Sequence, residues 1–517
     1  YDYNSHGTHV AGICGGRGTK AEGNSASKYI GMAPHAQFLL GSWLLDEASW
    51  MDEALWMYRV SKEEGKRLVI NNSWGMYSFS TLDGTSLLSQ LINHLADSGV
   101  VIVTSGGNNG DAALHLRMDF KRDTNGNNDT IRSMASYYSG GDGQMLIYWG
   151  TPGQPFKAGF ALSDNQKNIF PGEFFASSDN IDYYENYIVA NGDTVHYNVM
   201  TEAVNPFNQR PHVILKVDKC SGLNLHMMCT SDSGSTVHVW NVNYVKEHES
   251  NVGADFVMGG FNTYKQGDHL YGVGEPACAE KSIAVAAHTA GRFRNDTNWV
   301  PGAIAYFSSL GPTLDGRAKP EISAPGVGVI SSINSRDESE HTPVAAISNN
   351  GTVYRYAAMS GTSMSGPAVS GIVALMLEAN PNISVDKVRE IIFRTALNDQ
   401  ETGNLAIHDS ISPRWGYGKI NAMACVNAAL DQLSIEEALE RDIQLLVYPN
   451  PASTQITIQT NSNLPCLINV YSIDGRKVAQ TTACAQTSMD VSQWGKGVFV
   501  IQCNDRTGIR TAKVVVR

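Results

Sequence analysis

No block of lysine or arginine interrupts this 517-residue chain, in which 38 basic residues face 50 acidic ones for a formal charge of −12. Proteins that grip nucleic acid displace counterions with clustered cations, so nucleic acid is excluded as a partner. No apolar run approaches the roughly 20 residues that a membrane-spanning helix needs, so no transmembrane segment is expected. Cysteine is sparse: the eight residues form no Cys-x-x-Cys pair and none stands with histidine at zinc spacing, which argues against a metal cluster. Cys220 and Cys229 flank a short segment and could close a disulfide hairpin, or stay buried thiols. An initiator Met and a signal peptide are also missing, and Tyr1 is no natural start, so residues upstream are expected.

What remains is an ordinary globular composition, 42% hydrophobic and 17% charged, in a chain long enough for two to four domains. Residues 1–110 alternate helical and extended patterns. Gln37-Phe38-Leu39-Leu40-Gly41 reads as a strand. Met51 to Glu64 repeats apolar residues at helical spacing, and Leu68-Val69-Ile70-Asn71-Asn72-Ser73 is a short strand. Leu87 to Ser98 is a second helix, and Val100 to Ser105 a buried strand. Strand and helix in alternation predict a parallel sheet covered on both faces. From 111 to 259 the helical period disappears, and short alternating runs such as Met145 to Trp149 and Thr236 to Trp240 predict an inserted β-sandwich. The α/β texture resumes over 260–435. A charged linker is expected over 436–446, and 447–517 reads as a small second all-β unit.

Two stretches carry chemistry. Gly361-Thr362-Ser363-Met364-Ser365-Gly366-Pro367 presents a hydroxyl between small residues ahead of an apolar helical run. Ser5-His6-Gly7-Thr8-His9-Val10-Ala11-Gly12 does the same for an imidazole. A serine hydroxyl becomes a useful nucleophile only when a base accepts its proton during attack, and a helix N-terminus favours developing negative charge. Taken alone, Ser363 could equally be a helix cap, and His6 and His9 compete for the role of base. Thr104-Ser105-Gly106-Gly107-Asn108-Asn109-Gly110 follows a buried strand. It is either an Asn-Gly turn or the source of a side-chain amide aimed at an oxyanion.

Together these segments resemble the subtilisin-like serine peptidases. The resemblance implies an α/β fold, a subtilisin-like parallel sheet with helices on both faces, interrupted by the all-β insert and followed by the C-terminal β-sandwich. It implies Ser363 as nucleophile, His6 as base with His9 in the core, and Asn108 in the oxyanion hole. It makes Ser73, Trp74, Gly75 and Gly107 the residues that meet the substrate backbone, by β-augmentation, although Trp74 could simply be core. Phe307 to Pro312 and Lys319 to Gly326 match the family as loops bracing the site. The insert's position resembles that of the jelly-roll in clostridial germination subtilases. In the family the order is Asp, His, Ser. The Asp is therefore expected upstream of Tyr1, since Asp2 lies in the same local segment as His6. Without that Asp, this chain is expected to be a weak enzyme.

No cofactor is required for this chemistry. Asp123, Asn125, Asn127 and Asp129 around Gly126 space oxygens as a calcium loop does, though without a closing bidentate Glu, and the string also reads as a solvated turn. Val447-Tyr448-Pro449-Asn450-Pro451-Ala452 and the terminal Lys513-Val514-Val515-Val516-Arg517 resemble the sorting domain by which the type IX secretion machinery of Bacteroidetes exports proteins. An Ig-like adhesion module is the alternative. The expected function is a secreted or cell-surface endopeptidase acting on polypeptide substrates. The competing expectation is a pseudoprotease or polypeptide-binding adhesion protein on the same scaffold.

Overall fold

The computed structural model describes residues 4–18, 28–42, 46–78, 80–122, 126, 128–246, 250–294, 298–335, 341–403, 405, 411–442, 445–460, 465–505 and 508–517. Two compact units emerge, Tyr1–Ala429 and Leu430–Arg517.

At the centre of the first unit is a four-stranded parallel sheet: β1 (Val69–Asn72), β2 (Val101–Ser105), then the strands Ile283–Thr289 and Ile322–Val327. Alternate side chains of β2 serve opposite faces. Val101 and Val103 join Ile283, Val285, Ile322 and Ala324 beneath α4 (Thr362–Ala379) and α5 (Val385–Arg394). Ile102, with Ile70 and Val100, packs instead against α2 (Glu47–Glu63) and α3 (Leu87–Asp97). A sheet buried on both faces needs this continuous apolar run. The helices start where side chains satisfy their free N–H groups: Asp46 accepts from Ser49 N on α2, and Ser86 accepts from Ser89 N on α3.

The strand expected at residues 37–41 is not one. The segment has no ladder partner among the described residues, and Phe38 and Leu40 stand 43% and 74% exposed. An apolar run becomes a strand only where a neighbour takes its backbone bonds.

Between β2 and Ile283 the chain builds two antiparallel sheets. One has six strands, in the order His115–Asp119, Thr236–Tyr244, Gly143–Trp149, His212–Asp218, Asp193–Glu202, Tyr184–Ala190. The other has five: Phe256–Val257, Thr130–Ala135, Leu223–Ser231, Phe156–Asp164, Ile169–Ala176. Leu146 and Tyr148 face the core between the sheets. Met145, Ile147 and Trp149 face the other way, onto Tyr77, Leu82 and Leu314 of the surrounding α/β structure. This explains why Gly143–Trp149 is buried at every position. The hairpin disulfide does not form: Cys220 and Cys229 are both free, and Cys229 is fully buried in the sandwich core.

Of the expected linker, residues 436–442 are helical, because α6 (Ala422–Asp442) runs on to Asp442. Glu436-Glu437-Ala438-Leu439-Glu440 is made of strong helix formers, so charge there marks a helix instead of a loop. The second unit holds a three-stranded and a four-stranded antiparallel sheet around Ile456, Ile458, Ile468, Val470, Phe499, Ile501 and Val514. Among the described residues no helix is long and apolar enough to cross a membrane.

Candidate active site

In a parallel sheet every strand ends at the same edge, and the loops leaving that edge meet. β1 delivers Ser73 to Gly75, β2 delivers Gly106 to Asn109, and Gly326, in the last strand, accepts a bond from Gly361 N at 2.8 Å just before α4 begins. Ser363 therefore stands in the first turn of α4, half-buried, where the helix leaves unpaired N–H groups.

Its neighbours are held tightly. Ser363 Oγ donates to the Ser73 carbonyl at 3.3 Å, and Ser73 Oγ returns a bond to the Ser363 carbonyl at 3.0 Å. Asn71 Nδ2 fixes the Ser73 hydroxyl at 2.9 Å, and Asn71 Oδ1 is held by Ser370 on α4 at 2.9 Å. Thr362 binds Asn108 twice, its N–H and its hydroxyl both donating to Oδ1 at 2.9 Å. The same hydroxyl accepts from Gly107 N at 3.2 Å. Asn108 is exposed, and with its oxygen occupied the side chain keeps Nδ2 as a free donor beside the Gly361–Ser363 corner. Gly107 has φ of +105°, and a Cβ there would lie 2.6 Å from Ser309 Oγ, so glycine is required.

Trp74, Gly75, Gly107, Asn108, Gly274, Glu275 and Ser363 line one open recess. Trp74 serves two ends: it borders the recess, yet its ring packs edge-on against Trp50 at 6.1 Å within the core beneath. At the recess, Met76 and Glu275 pair in both directions through their backbones, at 2.9 and 3.0 Å.

His6 is carried on a helix that packs against α4. It is the first residue of α1 (His6–Gly15) and is exposed. Val10 and Ile13 of α1 pack with Met364 and Ala368 of α4. His9, one turn on, is fully buried, and its Nε2–H donates to the Ala357 carbonyl at 3.1 Å. Burial pushes the His9 imidazole below its ordinary value, which keeps it neutral.

The loops expected to brace the site have visible contacts. Ser309 N donates to the Gly107 carbonyl at 3.0 Å, and Gly110 N to that of Phe307 at 2.7 Å. The buried pair Lys319 Nζ–Glu321 Oε1 spans 2.6 Å, and Glu321 also accepts from Ala284 N. Thr362, Asn71 and Ser370 escaped sequence reasoning as positioning groups. Thr362 was within reach, since it sits inside the Gly-Thr-Ser run. Of the calcium string, Asp123, Asn125 and Asn127 lie outside the described residues, as does Asp2, and Asp129 is exposed.

A hydroxyl at a helix start, an amide fixed by its own oxygen and a histidine on a helix packed against it are the kinds of group that acyl-transfer serine hydrolases use. The subtilase family matches residues 1–212 and 224–418, and the chain belongs to that family of serine peptidases. The secretion system C-terminal sorting domain matches residues 446–517, which marks the chain for export. Serine protease AprX of Bacillus subtilis is 36% identical over 124 residues, 23% of this chain and 26% of that protein. Minor extracellular protease Vpr of the same organism is 28% identical over 221 residues, 41% of this chain and 25% of that protein. The chain thus spans about a quarter of the length of these two relatives. Among solved structures, the CspB protease of Clostridium perfringens shares the fold with a TM-score of 0.57 and 18% identity, over 83% of this chain and 80% of that one.

Proposed function

We propose that this exported chain is a serine endopeptidase that hydrolyses polypeptides through an acyl-enzyme on Ser363. Ser363 Oγ attacks the scissile carbonyl while His6 takes its proton. The proton then passes to the leaving amine, and water repeats the sequence to release the acyl group. The oxyanion is met by Asn108 Nδ2 and the Ser363 N–H. The backbone of Ser73 to Gly75 pairs with the extended substrate, with Gly107 opposite. The C-terminal unit engages the type IX secretion machinery. Calcium, if bound, is structural.

One observation carries the reading: both Thr362 donors occupy Asn108 Oδ1 and so point the amide nitrogen toward the corner where Ser363 would raise an oxyanion. The test is labelling of the full-length protein with a fluorophosphonate, followed by peptide mapping. A covalent adduct on Ser363, absent in Ser363→Ala, is the expected result. No adduct, with polypeptide binding retained, would make the chain a binding protein on a peptidase scaffold.

A further inference from the structure

Asn109 stands next to Asn108 and borders the same recess, but its side chain is bonded to groups other than Thr362 and Ser363. It is buried, and every polar atom it has is engaged. Its N–H donates to Ser309 Oγ at 3.0 Å. Nδ2 donates to Tyr77 Oη at 2.9 Å and to the Asn251 carbonyl at 2.8 Å. Oδ1 accepts from Gly253 N at 2.8 Å. Asn251 and Gly253 belong to the returning end of the inserted sandwich. There Asn243 N donates to Val252 O at 2.8 Å and Ala254 N to Asn241 O at 3.0 Å, so the segment is laced to the strand Thr236–Tyr244. Tyr77 is equally fixed: its hydroxyl donates to the Gly272 carbonyl at 2.7 Å, and burial pushes that hydroxyl's pKa up to about 12.

We infer that Asn109 is a positioning residue through which the inserted sandwich holds the Asn108 amide in register for the oxyanion. Consecutive residues share a peptide plane, so the direction of the Asn108 side chain is set on one flank by Thr362 and on the other by the anchored Asn109 backbone. An insert that merely decorated the surface would need no bond to this loop. Here both ends of one amide are spent on it. The inference rests on the endopeptidase reading above and adds the insert to its machinery.

The rate constant of fluorophosphonate labelling reads oxyanion stabilisation, because the attacked phosphonyl oxygen gathers charge as the carbonyl oxygen does. Asn109→Ala should slow labelling by about tenfold, the scale of a sub-ångström misplacement, and should lower kcat for a fluorogenic peptide while leaving KM unchanged. In an Asn108→Ala background the same substitution should change the rate by less than about twofold, since no amide remains to be placed. Tyr77→Phe removes only one of the two acceptors of Nδ2, and should slow labelling by about threefold, which keeps the question open to measurement if Asn109→Ala does not fold. Equal slowing with and without the Asn108 amide, or a rise in KM alone, would overturn the positioning role and leave Asn109 a packing residue. Absence of labelling in the unaltered full-length protein would instead remove the endopeptidase reading itself.

Discussion

β2 and the strand Gly143–Trp149 have the same burial, closed off from solvent at every position, and both are read from sequence as apolar runs. Yet β2 ends at Ser105, in the recess that Ser363 borders, while the other strand ends in the wall between sandwich and scaffold. The difference is direction. β2 runs parallel to both neighbours, so its C-terminal end opens where theirs do, and three loops converge. Gly143–Trp149 runs antiparallel to both of its neighbours, so successive loops leave from opposite ends and no cluster forms. Burial locates a core, whereas strand polarity locates chemistry. Among the described residues, the sandwich bonds to Asn109 through the segment that carries Asn251 and Gly253.

The sharpest test of that contrast is at the parallel edge. Ser363→Ala should abolish both adduct formation and peptide hydrolysis with the fold intact by circular dichroism; residual turnover at the unaltered rate would move the nucleophile elsewhere. Asn108→Ala should lower kcat by about 100- to 1000-fold, the usual loss for one oxyanion donor, with KM little changed. On the antiparallel side, Leu225→Ala empties a fully buried site between the two sheets and should cost at least about 2 kcal/mol in denaturant unfolding. The folded protein should keep its labelling rate, and a large rate loss there would show that the two regions are not separable.

The smallest effect concerns pH. Burial, with the nearby Glu275 charge, raises Glu47 from 4.5 to about 7, and Glu47 Oε1 has no hydrogen-bond partner among the described residues. The folded state then keeps a proton that the unfolded chain releases, so stability is greatest below about 4.5 and falls as pH rises toward 7. Glu47→Gln should flatten the fall in Tm across that window. An unchanged slope would assign it to other groups.

Much of this was legible because short motifs constrain chemistry more than they constrain shape. Gly-Thr-Ser-Met-Ser-Gly-Pro pointed to a nucleophile at a helix start, and Ser363 is found in the first turn of α4. The change from helical period to alternation after Gly110 pointed to an all-β insert. What stayed hidden depended on partners distant in sequence. Whether Phe38 joins a ladder depends on a neighbouring strand. Whether Cys229 meets Cys220 depends on which way a strand turns its side chains, and Cys229 turns inward. The bonds of Asn109 to residues 142 and 144 positions away in the chain, Asn251 and Gly253, have no local signature.

The Met76–Glu275 side of the recess has its own anchor. Behind the backbone that pairs with Met76, the Glu275 carboxylate is fully buried and gathers hydroxyls from Ser80, Ser86 and Ser89 and the thiol of Cys278. Ser86 also caps α3. Four donors clasping one buried acid make that side of the recess a fixed gauge: sliding it would break four hydrogen bonds to a single side chain at once.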